Sequence, residues 1–275
     1  MGPERSTILS ELRRQLAKSQ PVMSENACTP SGLLALDRLL PGGGFSGSTI
    51  VEWVQHAPGL PVATTALRCL APMLAKPGCI AVVDGQNEFH AEAALRQGIP
   101  AARLLLIRPP SGRGSSHQAD FLWALEQATR CSGIRAVLCW IDRISSTAMR
   151  RLQLAVERSG VSLHMVRPHS ALKQPSWADL RFFVRLSDRQ HQQKLLAGNQ
   201  RFILVELLRS RNAVHHQGHA LLKIDYETGH VCTVPELADS AAPATAQAAT
   251  TTSAARTTTA GATAAGATTR AAAAG

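Results

Sequence analysis

Residues 36–70 read LDRLLPGGGFSGSTIVEWVQHAPGLPVATTALRCL, and the order of their parts decides the fold. A glycine-rich turn leads into the β-branched run STIVEWV. A second turn follows with Pro58, Gly59 and Pro61, and then a helical segment with Thr64 and Thr65 near its start. Strand, glycine turn and hydroxyl-bearing helix make the frame of a phosphate-binding loop, GxxxxGK[ST]. In such a loop the glycines let backbone N–H groups approach the phosphates, the lysine neutralises them and the hydroxyl holds Mg²⁺. Here Val62 stands at the expected glycine and Ala63 at the lysine, and no lysine lies between Lys18 and Lys76. Pro61 removes one more backbone donor. A helix dipole alone favours an anion by about 0.3–1 kcal/mol at an exposed site. That is too little to hold a triphosphate. The expectation is weak ATP or anion binding at most, no resident cofactor and no ATP hydrolysis.

Outward from this stretch the pattern alternates. STIVEWV, CIAVVD, LLLIRP, AVLCWID and VSLHMVRP read as strands. ATTALRCLAPMLA, FHAEAALRQG, QADFLWALEQATRC and TAMRRLQLAVERSG read as helices between them. Short apolar strands separated by helices of about ten or more residues form right-handed βαβ units and a mainly parallel α/β sheet with flanking helices. Strands this apolar are covered on both faces. After Pro168 the helices stop. LRFFVRL, QRFILVELLRS and HALLKIDY then read as strands that extend the sheet by antiparallel pairing, with RNAVHHQG as a hairpin connection.

The chain divides into three parts. Residues 1–27 hold an amphipathic helix and a linker, with Ile8, Leu9, Leu12 and Leu16 at helical spacing as an apolar stripe that packs on its own domain or docks on a neighbouring subunit or partner. Residues 28–237 are the α/β domain. Residues 238–275 are an Ala/Thr-rich tail without an aromatic or large aliphatic side chain, and such a composition is expected to be disordered. No apolar run approaches the ~20 residues that span a bilayer. No secretory signal pattern opens the chain, so a cytoplasmic protein without a membrane partner is expected. The six cysteines form no CxxC pair, which argues for reduced thiols rather than disulfides or a zinc site. His215, His216 and His219 make HHxxH in the hairpin connection, where a solvated loop is favoured over a metal centre.

The net charge of +10 is mostly arginine, which suits phosphates and carboxylates. Arg167, His169 and Lys173 follow a strand at the sheet's C-terminal edge, where α/β domains bind ligands, and are candidates for DNA or partner contact; a solvated loop explains them equally. Arg150 and Arg151 are further candidates on a helix whose apolar side carries Met149, Leu152 and Val156; the wet face of that helix is the favoured explanation of them. Trp53, Trp123, Trp140 and Trp177 are assigned to core packing.

The order of segments is similar to bacterial RecA. TPSGLLALDRLLPGGGFSGSTIVE resembles that family's entry into its first core strand, and CIAVVDGQNEFHAEAALRQGIPAARLLLIRP its second strand, helix and third strand. The resemblance implies a catalytic glutamate two residues after Asp84, and Gln86 stands there instead. Asp142 ends the segment in the Walker B place. RecA's long DNA-binding loops correspond here to brief connections, Arg143 to Thr147 and Arg167 to Pro175. GSTIVEWV, WALEQATRC, CWIDR, RRLQLAVE, PSWADLR and RFILVELLRS look closer still to the ImuA family, RecA-related accessory proteins of bacterial mutagenic lesion bypass. The likeness covers roughly residues 28–232. It implies a non-catalytic role in SOS translesion synthesis in a bacterial cytoplasm, beside an ImuB-like protein and an error-prone C-family DNA polymerase. Contact with RecA, self-association and weak DNA contact are compatible with it. The alternatives are a RecA-class DNA-dependent ATPase, or an SOS-type inhibitor of cell division or recombination.

Overall fold

A computed structural model describes residues 28–110, 115–187, 200–211 and 218–234. All of them belong to the unit that ends at Pro235, and residues 236–275 lie outside them. So do the leading helix with Ile8, Leu9, Leu12 and Leu16, the Ala/Thr tail, and His215 and His216.

Nine strands form one sheet: β1 (Ile50–Gln55), β2 (Cys79–Val83), β3 (Leu104–Ile107), β4 (Ile134–Trp140), β5 (Ser162–Arg167), β6 (Leu180–Leu186), β7 (Gln200–Ser210), β8 (Gly218–Asp225) and β9 (Val231–Thr233). Their spatial order is β3-β2-β4-β5-β1-β6-β7-β8-β9. The first six are parallel and the last three join antiparallel, as a mainly parallel α/β sheet with an antiparallel C-terminal end. Among the described residues five α-helices flank it: α1 (Leu34–Asp37), α2 (Val62–Leu70), α3 (Ala91–Arg96), α4 (Ser115–Arg130) and α5 (Ser146–Ser159).

Alternation along each strand builds two cores. Val51, Trp53, Ile80, Val82, Phe182 and Ile203 face α1, α2 and α3, whose Leu36, Leu67 and Ala94 close that layer. Ile50, Ala81, Val83, Val137, Leu163 and Met165 face α4 and α5, which bring Phe121, Leu125, Met149, Leu152 and Val156. Trp53 stacks on Phe182 with ring centroids 4.7 Å apart, worth about 0.5–1.5 kcal/mol beyond burial alone. Its indole donates to His164 Nδ1 at 3.1 Å, so the one polar atom of this ring is satisfied inside the core. α5 begins where the Ser145 hydroxyl accepts from Ala148 N at 3.2 Å and ends at Gly160, whose φ of +76° releases the chain into β5.

Two expectations need correction, and one element was not anticipated. β6 lies parallel to β1, with Val51 beside Leu180 and Val54 beside Phe183. Antiparallel pairing starts one joint later, between β6 and β7. The cause is the connection after β5, which runs through a 3₁₀ turn (His169–Lys173) back to the strands' starting edge. There Asp179 N donates to Ile50 O and the Asp179 carboxylate accepts from Ile50 N, both at 2.9 Å, so β6 enters alongside β1. The long helix through ATTALRCLAPMLA is also two pieces. Pro72 has no N–H to continue the ladder, so α2 ends at Leu70 and a 3₁₀ turn covers Ala71–Ala75. Finally, β9 was absent from the sequence pattern: three residues are too few to show a period. Among the described residues no helix is long and apolar enough to cross a membrane, and the six cysteines are free.

Candidate functional site

The loop after β1 is shaped by its own residues. Val62 is fully buried, so a side chain packs where a phosphate loop has glycine. Val62 N donates to Leu60 O at 2.8 Å and Thr65 N to Pro61 O at 3.0 Å. The Thr65 hydroxyl also turns back onto Pro61 O at 2.9 Å and is fully buried. Pro58 and Pro61 have no N–H to offer. Gly59 takes a φ of +79° at the exposed turn, and Ala63 and Thr64 are half-buried. Of the two hydroxyls placed here from the sequence, only that of Thr64 remains uncommitted. His56, the first residue of the loop, gathers with His169 and Phe183 at ring distances of 5.3 and 5.7 Å.

Asp84 ends β2 and is buried. It accepts from Glu88 N at 3.1 Å and Phe89 N at 3.2 Å, and pairs with Arg108 at 3.2 Å. Burial raises its pKa, but those backbone donors and Arg108 outweigh burial and hold the carboxyl below its ordinary value. Asp84 is thus occupied in shaping the β2–α3 loop. Gln86, on that loop, is exposed. It shares a cleft of about 680 Å³ with Asp142, His117, Phe121 and Trp140. The structure therefore brings Gln86 and Asp142 together, with no residue of the Gly59–Thr65 loop lining the same cleft.

A second cluster was not anticipated. Glu52, in the middle of β1, is almost fully buried beneath two arginines. Arg167 Nη1 donates to Glu52 Oε1 at 2.8 Å, Arg181 Nε lies 3.0 Å from Oε2, and the Ser176 hydroxyl donates to Oε2 at 2.9 Å. Arg167 Nη2 donates to Asp142 O at 3.1 Å and Gln174 Oε1 at 2.6 Å. Burial pushes the Arg181 guanidinium below its ordinary value while Glu52 pulls the other way. Arg167 was a candidate for DNA or partner contact; at 1% exposure it is instead an internal tie across β5, β1 and the connector. A charged residue inside the apolar run IVEWV, and arginines inside VSLHMVRP and LRFFVRL, were the available signals.

Above Glu52 a cleft of about 490 Å³ opens between the start of α5 and the connector, lined also by Arg143, Ile144, Met149, Lys173 and Trp177. Lys173 and His169 are exposed. Arg150 is exposed and donates to Gln153 Oε1 at 2.9 Å. Arg151 is tied to buried Glu126, which also pairs with Arg130 at 2.5 Å. Two tryptophans depart from core packing: Trp123 is 64% exposed and Trp177 49%, because each lies on the outer side of its segment. His219 lies in β8 opposite Glu206, not in a loop, and no cluster of metal-binding side chains occurs among the described residues.

No family model matches the chain. It is 31% identical over 163 residues to Protein ImuA of Caulobacter vibrioides, found in two strains; the match takes in 54% of this chain and 63% of that protein. It is 30% identical over 103 residues to Protein RecA of Lactobacillus delbrueckii subsp. bulgaricus, 38% of this chain and 31% of that protein. The chain thus spans less than two thirds of the length of the curated relatives it matches. The sequence is related to ImuA and RecA proteins, in agreement with the sheet described above.

Proposed function

We propose that this protein is a non-catalytic, ImuA-like accessory factor of DNA-damage tolerance. It acts in translesion synthesis by presenting a rigid RecA-type domain to an ImuB-like partner and an error-prone polymerase. The observation that carries this reading is the loop after β1. Val62 and Ala63 replace the glycine and lysine, Thr65 is spent on Pro61 O, and Gln86 replaces the catalytic carboxylate that the RecA resemblance implies. Such a domain keeps its surface without its nucleotide chemistry. The likeness to proteins named ImuA supports the cellular role.

The leading helix supplies the contact in this reading, through Ile8, Leu9, Leu12 and Leu16. Leu12→Asp should abolish the pull-down of an ImuB-like protein, or self-association, and leave the melting temperature unchanged. An unpaired charge in an apolar interface costs several kcal/mol. A variant that binds and self-associates to the parental extent in light scattering and pull-down would end this account of the interface.

A further inference from the structure

The cleft above Glu52 is built for a ligand of definite chemistry. Arg143 and Lys173 stand exposed on its two walls, and neither has a hydrogen-bond or ion-pair partner among the described residues. Two guanidiniums face one carboxylate in its floor, Arg167 and Arg181 against Glu52, which leaves an uncompensated positive charge below the walls. Between the charges Ile144, Met149, Pro175 and half-exposed Trp177 give apolar lining, interspersed with Ser146, Ser170 and Gln174. A volume of about 490 Å³ falls in the usual range for a specific pocket.

We propose that this cleft docks an acidic peptide segment of a partner protein. One apolar side chain sits against Trp177 and Met149, and flanking carboxylates meet Arg143 and Lys173. Charge decides the occupant. At +10 net, a second copy of this chain is a poor source of acidic surface, whereas an acidic partner is drawn to it. A single-stranded nucleic acid fits less well. It needs a run of cations and successive stacking rings, and the cleft offers one ring, Trp177, and two unpaired cations. The proposal rests on the reading of the domain as a protein-binding scaffold and assigns that binding a place.

The test is selection of random peptides of about 12 residues on the full chain, then fluorescence polarisation of a labelled winner. The expected consensus is a Phe, Leu or Trp flanked by Asp and Glu. Its affinity should fall roughly tenfold or more in Arg143→Glu/Lys173→Glu and in Trp177→Ala, as for central contact residues. It should also weaken as salt rises from about 0.05 to about 0.5 M. The substituted side chains are exposed, so unchanged melting temperatures verify the fold. No consensus, a basic or uncharged consensus, or affinities indifferent to the substitutions overturns the proposal. So does an oligothymidylate that binds the parent through these residues while the peptides do not. Peptide failure with partner pull-down intact removes the cleft alone; loss of partner pull-down from the unaltered chain removes the scaffold reading as well.

Discussion

Acidification should loosen this domain well before its carboxylates titrate, and one imidazole should set much of the slope. His164 is fully buried between the Trp53 indole and the Ser162 hydroxyl, which lies 3.0 Å from Nε2. Burial lowers its pKa from 6.5 to about 3. An unfolded chain therefore takes up a proton below pH 6.5 that the folded chain refuses until about pH 3. Stability tied to His164 is complete above pH 6.5 and is lost as the pH falls through that window. Each pH unit inside it costs about 1.4 kcal/mol, so going from pH 7 to pH 4.5 costs about 2.5 kcal/mol. For a domain of this size that lowers the midpoint by about 5–10 °C. Urea unfolding at a series of pH values measures the slope. His164→Gln keeps an acceptor for the indole but cannot titrate, so it should be less stable at neutral pH and flatter with pH by about one proton. Asp84, held below its ordinary value, makes its own loss only as the pH falls below about 4, outside most of the window. An unchanged slope in the glutamine variant would refute this account.

Three further outcomes follow from the same framework. Calorimetry should find ATP binding no tighter than millimolar, about 4 kcal/mol, and no turnover; micromolar affinity abolished by altering Thr64 would overturn the reading of the loop. Glu52→Gln should cost about 3–5 kcal/mol in denaturant unfolding, because two buried guanidiniums lose their counter-charge, and adding Arg167→Met should restore part of it. Truncation after Ala241 should leave the thermal midpoint within a degree or so, since that tail offers no apolar surface to a core; a drop of many degrees would show it docked.

The parallel half of the sheet was legible because each strand is a short apolar run bracketed by helical periods. The order of α2, α4 and α5 followed from Leu67, Phe121 and Met149 recurring at helical spacing. The placement of β6 was not legible. Residues 168–179 have neither helix period nor turn signature, and local pattern does not say that Asp179 will bind the start of β1. The absence of lysine from the loop is plain in the sequence, but the inward turn of Thr65 depends on backbone geometry. Arg167 looked like a surface cation because its neighbours Pro168 and His169 are polar-loop residues. Its true partner, Glu52, is 115 positions away. Burial of such a pair is a tertiary fact, hinted at only by a carboxylate in an apolar strand.

β1 has a consequence for how the chain comes off the ribosome. It is the fifth strand across the sheet yet the first to be made, and both its neighbours, β5 and β6, are made much later. The acceptor for the Trp53 indole is 111 residues downstream. At about 5–20 residues per second, IVEWV waits roughly 6–20 s for its first strand partner. During that interval the nascent chain carries an unpaired apolar ribbon, while β2, β3 and β4 can already pair with one another. Closure at the middle of the sheet therefore waits for β5 and β6, and only after it can β7, β8 and β9 be added beyond β6.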